Sequence, residues 1–189
     1  MSEITIPTES QRRLLHLSRR TLENFVRGAG RTTEADEVLE DPYLQLTDYG
    51  AFVSLHIDRE LRGCIGNCNG DTPLFKTVIE MTEAAASRDH RMEPVSMDEL
   101  DAIRIDISVL SPLQRVENPQ LLEVNKHGLH VASGHRRGVL LPQVATEYGW
   151  DIQTFLEQTC RKAGLKKNAW KNPATVVSSF TALVIEERK

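Results

Sequence analysis

Between Ile103 and Val109 the chain alternates without a break. Ile103, Ile105, Ile107 and Val109 are apolar, and Arg104, Asp106 and Ser108 between them are polar. A period of two suits a strand with one dry face and one wet face, and no helix can satisfy it. Ser111-Pro112 ends the run. Two further segments read as hairpins. Ala51–Ile57 and Leu61–Ile65 flank the polar turn Asp58-Arg59-Glu60, and Gly128–Val131 and Gly138–Leu141 flank Ser133-Gly134-His135-Arg136. A last strand is expected over about 175–187, with Val176, Ser178, Phe180, Ala182 and Val184 on one face.

Three segments carry the helical period instead. Thr8-Glu9-Ser10-Gln11 has capping-box spacing, and Leu14, Leu15, Leu22, Phe25 and Val26 follow on one face up to Gly28. This predicts an amphipathic helix over 9–27 with Arg12, Arg13, Arg19 and Arg20 on its wet side. Thr72-Pro73 reads as an N-cap and first helical residue, opening a helix that carries Leu74, Phe75, Val78, Ile79, Thr82, Ala85 and Ala86. Asp151 caps a third, carrying Ile152, Phe155, Leu156, Thr159, Cys160 and Ala163 and stopped by Gly164. Residues 31–49 are polar and read as an exposed connection. The order helix, hairpin, helix, strand, hairpin, helix, strand predicts an α+β fold with mainly antiparallel sheet and flanking helices. With 189 residues the chain has room for one generous domain or two small subdomains.

Composition narrows the function classes. A formal net charge of −4 offers no global attraction to nucleic acid. The apolar runs are short and interrupted, so no membrane association is expected. The N-terminus lacks a signal-peptide pattern, which predicts a cytoplasmic protein. The three cysteines are Cys64, Cys68 and Cys160. The Cys64–Cys68 spacing is wrong for a zinc knuckle, and no second pair completes a site, so no metal is expected. Neither a phosphate loop nor a dinucleotide fingerprint is present, so no cofactor is expected either.

The segment Leu61-Arg62-Gly63-Cys64-Ile65-Gly66 departs from ordinary strand sequence. Arg62 and Cys64 fall on one side by alternation, and a guanidinium beside a thiol favours the nucleophilic thiolate. Gly63 and Gly66 admit a close approach by another backbone or by a ligand. The competing reading makes Cys64 a small core residue and Arg62 a surface one. Cys160 reads as core, and Trp150 and Trp170 as packing against its helix. His127 and His130 fall on opposite strand faces and make a poor metal pair. His135-Arg136-Arg137 is a cationic hairpin tip, a solvated turn first and an anion site second. Arg161, Lys162, Lys166, Lys167 and Lys171 beside Trp170 suit a charged helix end or, less simply, a nucleic-acid contact.

Leu-Arg-Gly-Cys-Ile-Gly resembles the hallmark of the AMMECR domain family. Further stretches resemble the same family: Thr47–Val53, Ala84–Arg91, Ile105–Pro112, Lys126–Leu129, Arg137–Val144 and Cys160–Leu165. His90 and Met92 depart from its usual pattern. The likeness runs over about residues 10–187. It implies a single AMMECR-type domain over 1–189, with a larger and a smaller subdomain around a cleft near the hallmark motif. It also implies a shared pathway with Memo-family and radical S-adenosylmethionine proteins, in small-molecule or RNA modification.

On this basis Cys64 is expected as nucleophile and His127 as its general base, or else as a turn cap. Arg62, Gly63, Gly66, Asp89, Arg91 and Arg137 are expected to bind. The alternative is a non-catalytic adaptor that recognises a protein partner or RNA through the same residues. Oligomeric state is not legible.

Overall fold

The structure, a computed structural model, describes residues 4–30, 32 and 36–188. The first helix is α1 (Thr8–Arg27), followed by α2 (Asp36–Leu39), β1 (Gly50–Ile57), β2 (Glu60–Asn67), α3 (Leu74–Ser87) and β3 (Arg104–Leu110). Then come β4 (Gln114–Arg115), β5 (Gly128–Ser133), β6 (Arg136–Leu140), α4 (Pro142–Glu147), α5 (Ile152–Lys162), β7 (Val176–Phe180) and β8 (Ala182–Glu186). The strands form two four-stranded sheets, ordered β2-β1-β3-β8 and β4-β7-β5-β6. β1 pairs antiparallel with β2 and β3, and β7 and β6 pair antiparallel with β5. The fold is α+β with antiparallel sheet and flanking helices, as the pattern predicts.

The chain divides into two compact units. One comprises Thr5–Pro112 and the chain from Leu183 on, and the other comprises Leu113–Ala182 together with Ile4 at the N-terminal end. In the first unit α1 and α3 pack together, and α3 lies on β1 and β2. Leu14, Leu22, Val53, Leu55, Phe75, Val78, Ile105 and Ile107 form its dry interior. Ser18 and Thr82 share a buried hydrogen bond of 2.8 Å where α1 meets α3, so small polar side chains satisfy each other at the helix contact. In the second unit, Leu129, Val131, Phe155, Leu156, Cys160 and Val177 form a separate core, with Trp150 and Trp170 packed against it. Asp151 caps α5 through the Thr154 N–H at 2.7 Å. The Cys160 thiol is fully buried and burial pushes its pKa up, as a core cysteine requires.

Several local expectations are corrected. The Thr8–Gln11 capping box does not form, because Pro7 takes the N-cap position and Thr8 is already helical. Gln11 Nε2 reaches back to the Ile6 carbonyl instead. Thr72 does not cap α3 either. Pro73 occupies the cap, and the Thr72 hydroxyl bonds to Thr77. Arg19 is not on a wet face: its guanidinium pairs with Glu187 and donates to the Leu100 and Ile103 carbonyls. The 31–49 connection is not simply exposed, since Val38, Asp41 and Leu44 are buried. Arg13 holds Asp41 at 2.7 Å. The last expected strand is two strands in two sheets. Phe180 and Thr181 are consecutive and both buried, so the period of two fails there, and β8 joins the sheet of β3.

Candidate functional site

The hairpin β1–β2 turns through Asp58 and Arg59, both at positive φ (49° and 72°). Two successive residues of this kind match the strand twist in a two-residue hairpin turn. Pairing runs Ile57↔Glu60 and His56↔Leu61, then jumps to Leu55↔Gly63. Arg62 is the extra residue of a bulge, which re-aims its side chain. All of its donor groups are engaged. Nε and Nη2 grip the two Glu99 carboxylate oxygens, while Nη1 and Nη2 reach the Glu93 and Pro94 carbonyls. The Arg62 guanidinium lowers the Glu99 pKa to about 2 against the opposing effect of burial, with help from Ser96. Arg62 thus fastens the 93–99 segment to β2.

Gly63 and Gly66 are explained by packing. A Cβ at Gly63 would stand 2.3 Å from the Ala85 carbonyl oxygen of α3, and one at Gly66 would stand 2.1 Å from the Phe52 ring. Backbone and ring occupy the space that a ligand would need.

Cys64 lies on the edge strand of its sheet. Its N–H points away from β1 and donates to Asp89 Oδ2 at 2.9 Å. Asp89 is buried at the end of α3, and Arg91 clamps it through Nε and Nη2 at 2.8 and 2.6 Å. Arg91 holds the Asp89 carboxyl well below the usual carboxylate range despite burial, and the Cys64 and Arg91 N–H groups add to this. Arg91 Nη2 also approaches the Cys64 carbonyl at 3.4 Å. Together Asp89 and Arg91 bond to Cys64 as a neighbouring strand would. His90, which departs from the family pattern, leaves this clamp intact.

Because the Cys64 N–H is turned outward, Cys64 and Ser54 are a cross-strand pair without mutual backbone hydrogen bonds. Side chains stand closest in such pairs. Ser54 Oγ donates to Cys64 Sγ at 3.2 Å. Ser54 is also opposite Asp106 on β3, so Cys64, Ser54 and Asp106 form one row across three strands. In the next row His56 is opposite Arg104, and His56 Nδ1 lies 3.2 Å from Asp106 Oδ2. Burial pushes the Asp106 carboxyl up, Glu186 and Glu187 reinforce the shift, and His56 and Arg104 oppose it. These side chains share the sheet face opposite Val53, Leu55, Ile105 and Ile107, which point into the core.

The sequence pattern therefore groups Arg62, Gly63, Cys64, Gly66, Asp89 and Arg91, and the structure brings Cys64, Asp89 and Arg91 into direct contact. The pattern does not reveal Ser54, His56 and Asp106. Their polar side of the alternation is visible, but the register joining them to Cys64 is not. His127 and Arg137 belong to the other unit. His127 is buried, and its Nδ1 accepts the Glu123 N–H at 3.0 Å, which closes the turn before β5. Arg137 pairs with Ala132 on the β5–β6 hairpin and, after burial, contributes to lowering the His130 pKa.

The site is thus built on an α+β chain with a bulged, glycine-bearing edge strand and a half-buried cysteine tied to Asp89. The chain belongs to the AMMECR1 family, whose family model matches residues 15–185 and so runs through both units. A protein of Methanothermobacter thermautotrophicus is 38% identical, covering 99% of each chain. One of Aquifex aeolicus is 36% identical over 94% of this chain and 93% of its own. The crystal structure of PH0010 from Pyrococcus horikoshii is similar with a TM-score of 0.88 and 34% identity, covering 97% of this chain and 94% of that one. Among the described residues no helix is long and apolar enough to cross a membrane.

Proposed function

We propose that the chain is a cytoplasmic enzyme, or the substrate-handling component of one, with Cys64 as nucleophile or covalent carrier. The observation that carries this reading is the surroundings of the sulfur. Ser54 Oγ donates to it, and the Arg91 guanidinium lies on the same residue, 3.4 Å from the Cys64 carbonyl oxygen. A sulfur with a hydroxyl donor beside it and a guanidinium on its own backbone stands in the kind of polar, cationic surroundings in which reactive cysteines occur. In keeping with the family resemblance, the reaction belongs beside those of Memo-family and radical S-adenosylmethionine proteins, in small-molecule or RNA modification. Iodoacetamide at near-neutral pH, followed by peptide mapping, tests the reading. Cys64 should alkylate faster than free N-acetylcysteine, and Arg91→Gln should slow it several-fold. A Cys64 no faster than the free thiol would sink it.

A second reading is favoured by the bonding of Arg62, whose guanidinium is fully committed to Glu99 and two carbonyls. Such lacing suits a rigid recognition surface. In that case Cys64→Ser keeps partner binding in a pull-down with Memo-family or radical-enzyme partners or RNA, and Arg62→Ala loses it.

A further inference from the structure

His56 and Asp106 lie on the same sheet face as Cys64, one and two strands away from it. Ser54 is opposite both Cys64 and Asp106, and His56 follows Ser54 by two residues on β1. Diagonal cross-strand neighbours of this kind are roughly 7–8 Å apart at the backbone, a span that one small substrate group bridges. The two are adjacent: His56 Nδ1 is 3.2 Å from Asp106 Oδ2, and Nε2 is the ring nitrogen on the other side. Both side chains are about a quarter to a third exposed, at 26% and 31%, so neither is sealed into the core. They line a groove of about 640 Å³ whose other walls include Asp58, Arg59, Arg104, Glu186 and Glu187. A nucleophile, an imidazole beside a carboxylate and a polar groove are the parts that acyl transfer requires; the groove opens at His56 and Asp106, and Cys64 lies one strand over from His56 on the same face.

We propose that His56, positioned by Asp106, is the acid–base catalytic residue of this site, and that the site transfers acyl groups through a thioester on Cys64. The proposal rests on Cys64 being the nucleophile. In the first step the Cys64 thiolate bonds to the acyl carbon, the bond from that carbon to the leaving group breaks, and protonated His56 gives its Nε2 proton to the leaving group. In the second step a water oxygen bonds to the acyl carbon, the carbon–sulfur bond breaks, and His56 takes the water proton as Cys64 departs as thiolate. The substrate class is a small acyl compound; the groove wall sets Asp58, Glu186 and Glu187 beside Arg59 and Arg104, so it favours no anionic group on it.

The test uses p-nitrophenyl acetate with the full-length protein. Wild type should release p-nitrophenolate in a burst, carry one acetyl group on Cys64 by mass spectrometry, and then turn over. His56→Gln should keep the acetyl group on Cys64, with its hydrolysis slowed roughly a hundredfold. Asp106→Asn should slow the same step less, because the imidazole is still present but is no longer held by a carboxylate. Equal hydrolysis of acetyl-Cys64 in wild type and His56→Gln overturns the acid–base role and leaves the nucleophile reading standing. If wild type acquires no acetyl group on Cys64, both fall. Should His56→Gln lose the wild-type thermal transition, Asp106→Asn decides by the same criterion, with an unchanged hydrolysis rate overturning the role of the pair.

Discussion

Asp89 accepts hydrogen bonds from the Cys64 N–H, the Arg91 N–H and the Arg91 guanidinium while its side chain is only 2% exposed. Replacing it by Ala leaves an edge-strand N–H and a guanidinium without their acceptor. We expect a loss of about 2 kcal/mol in urea unfolding, the scale of hydrogen bonds to a charged group. The pH dependence follows from direction. Asp89 and Glu99 both titrate lower in the folded chain than in the unfolded one, so the unfolded state binds more protons in acid. Their stabilisation is complete above the unfolded carboxylate range near pH 4 and is lost as pH falls through the folded values, about 2 for Glu99. Urea midpoints should therefore drop between about pH 5 and pH 2, and Asp89→Asn should flatten that drop. An unchanged slope in Asp89→Asn would remove the carboxylate from this role.

Strand β2 combines two devices that set the site. The bulge turns Arg62 onto Glu99, and Gly63 lets β2 lie against the backbone of α3. The same device recurs in the other unit, where a Cβ at Gly138 would stand 2.7 Å from the Thr159 carbonyl oxygen of α5. A methyl at Gly63 meets an immovable carbonyl, so Gly63→Ala should cost about 1–3 kcal/mol and loosen Cys64 toward alkylation. Gly134, at φ 59° with nothing within 4 Å of where a Cβ would stand, is the control. Gly134→Ala carries only the left-handed backbone cost of roughly 1 kcal/mol. Equal thermal shifts in the two variants would refute the packing account of Gly63. The glycines and the arginine are legible in the sequence as unusual. Their reasons are not, because a bulge is a mismatch between two strands and has no signature in one of them.

At the scale of the molecule, the unit built on residues 113–182 begins after β3 and ends at Ala182, the first residue of β8. Each unit has its own core: one centred on Leu55, Phe75 and Ile107, the other on Phe155, Leu156 and Val177. Separate cores predict separate cooperative openings. Native-state hydrogen exchange should therefore divide the slow amides into two groups with boundaries near residues 112 and 182. A single common opening free energy for both groups would contradict this. Cys64, Ser54, His56, Asp89, Arg91 and Asp106 all lie in one unit, so the chemistry proposed above needs no residue of the other.

The sequence by itself determined the three long helices, both hairpins and β3, their order, the α+β class and the family, because periodicity, turn residues and a motif are local properties of the chain. Alternation at Ile103–Val109 even separated the wet face of β3 from its dry face. Tertiary structure alone decided which strands neighbour one another and in what register. That choice split the final strand between two sheets and gave Arg62 to Glu99. It also put Ser54 and Asp106 in one row with Cys64, and His56 beside them. Register is set by long-range pairing and by packing against α1 and α3, so residues about 10 and 40 positions from Cys64 meet on one face through contacts that no local pattern encodes.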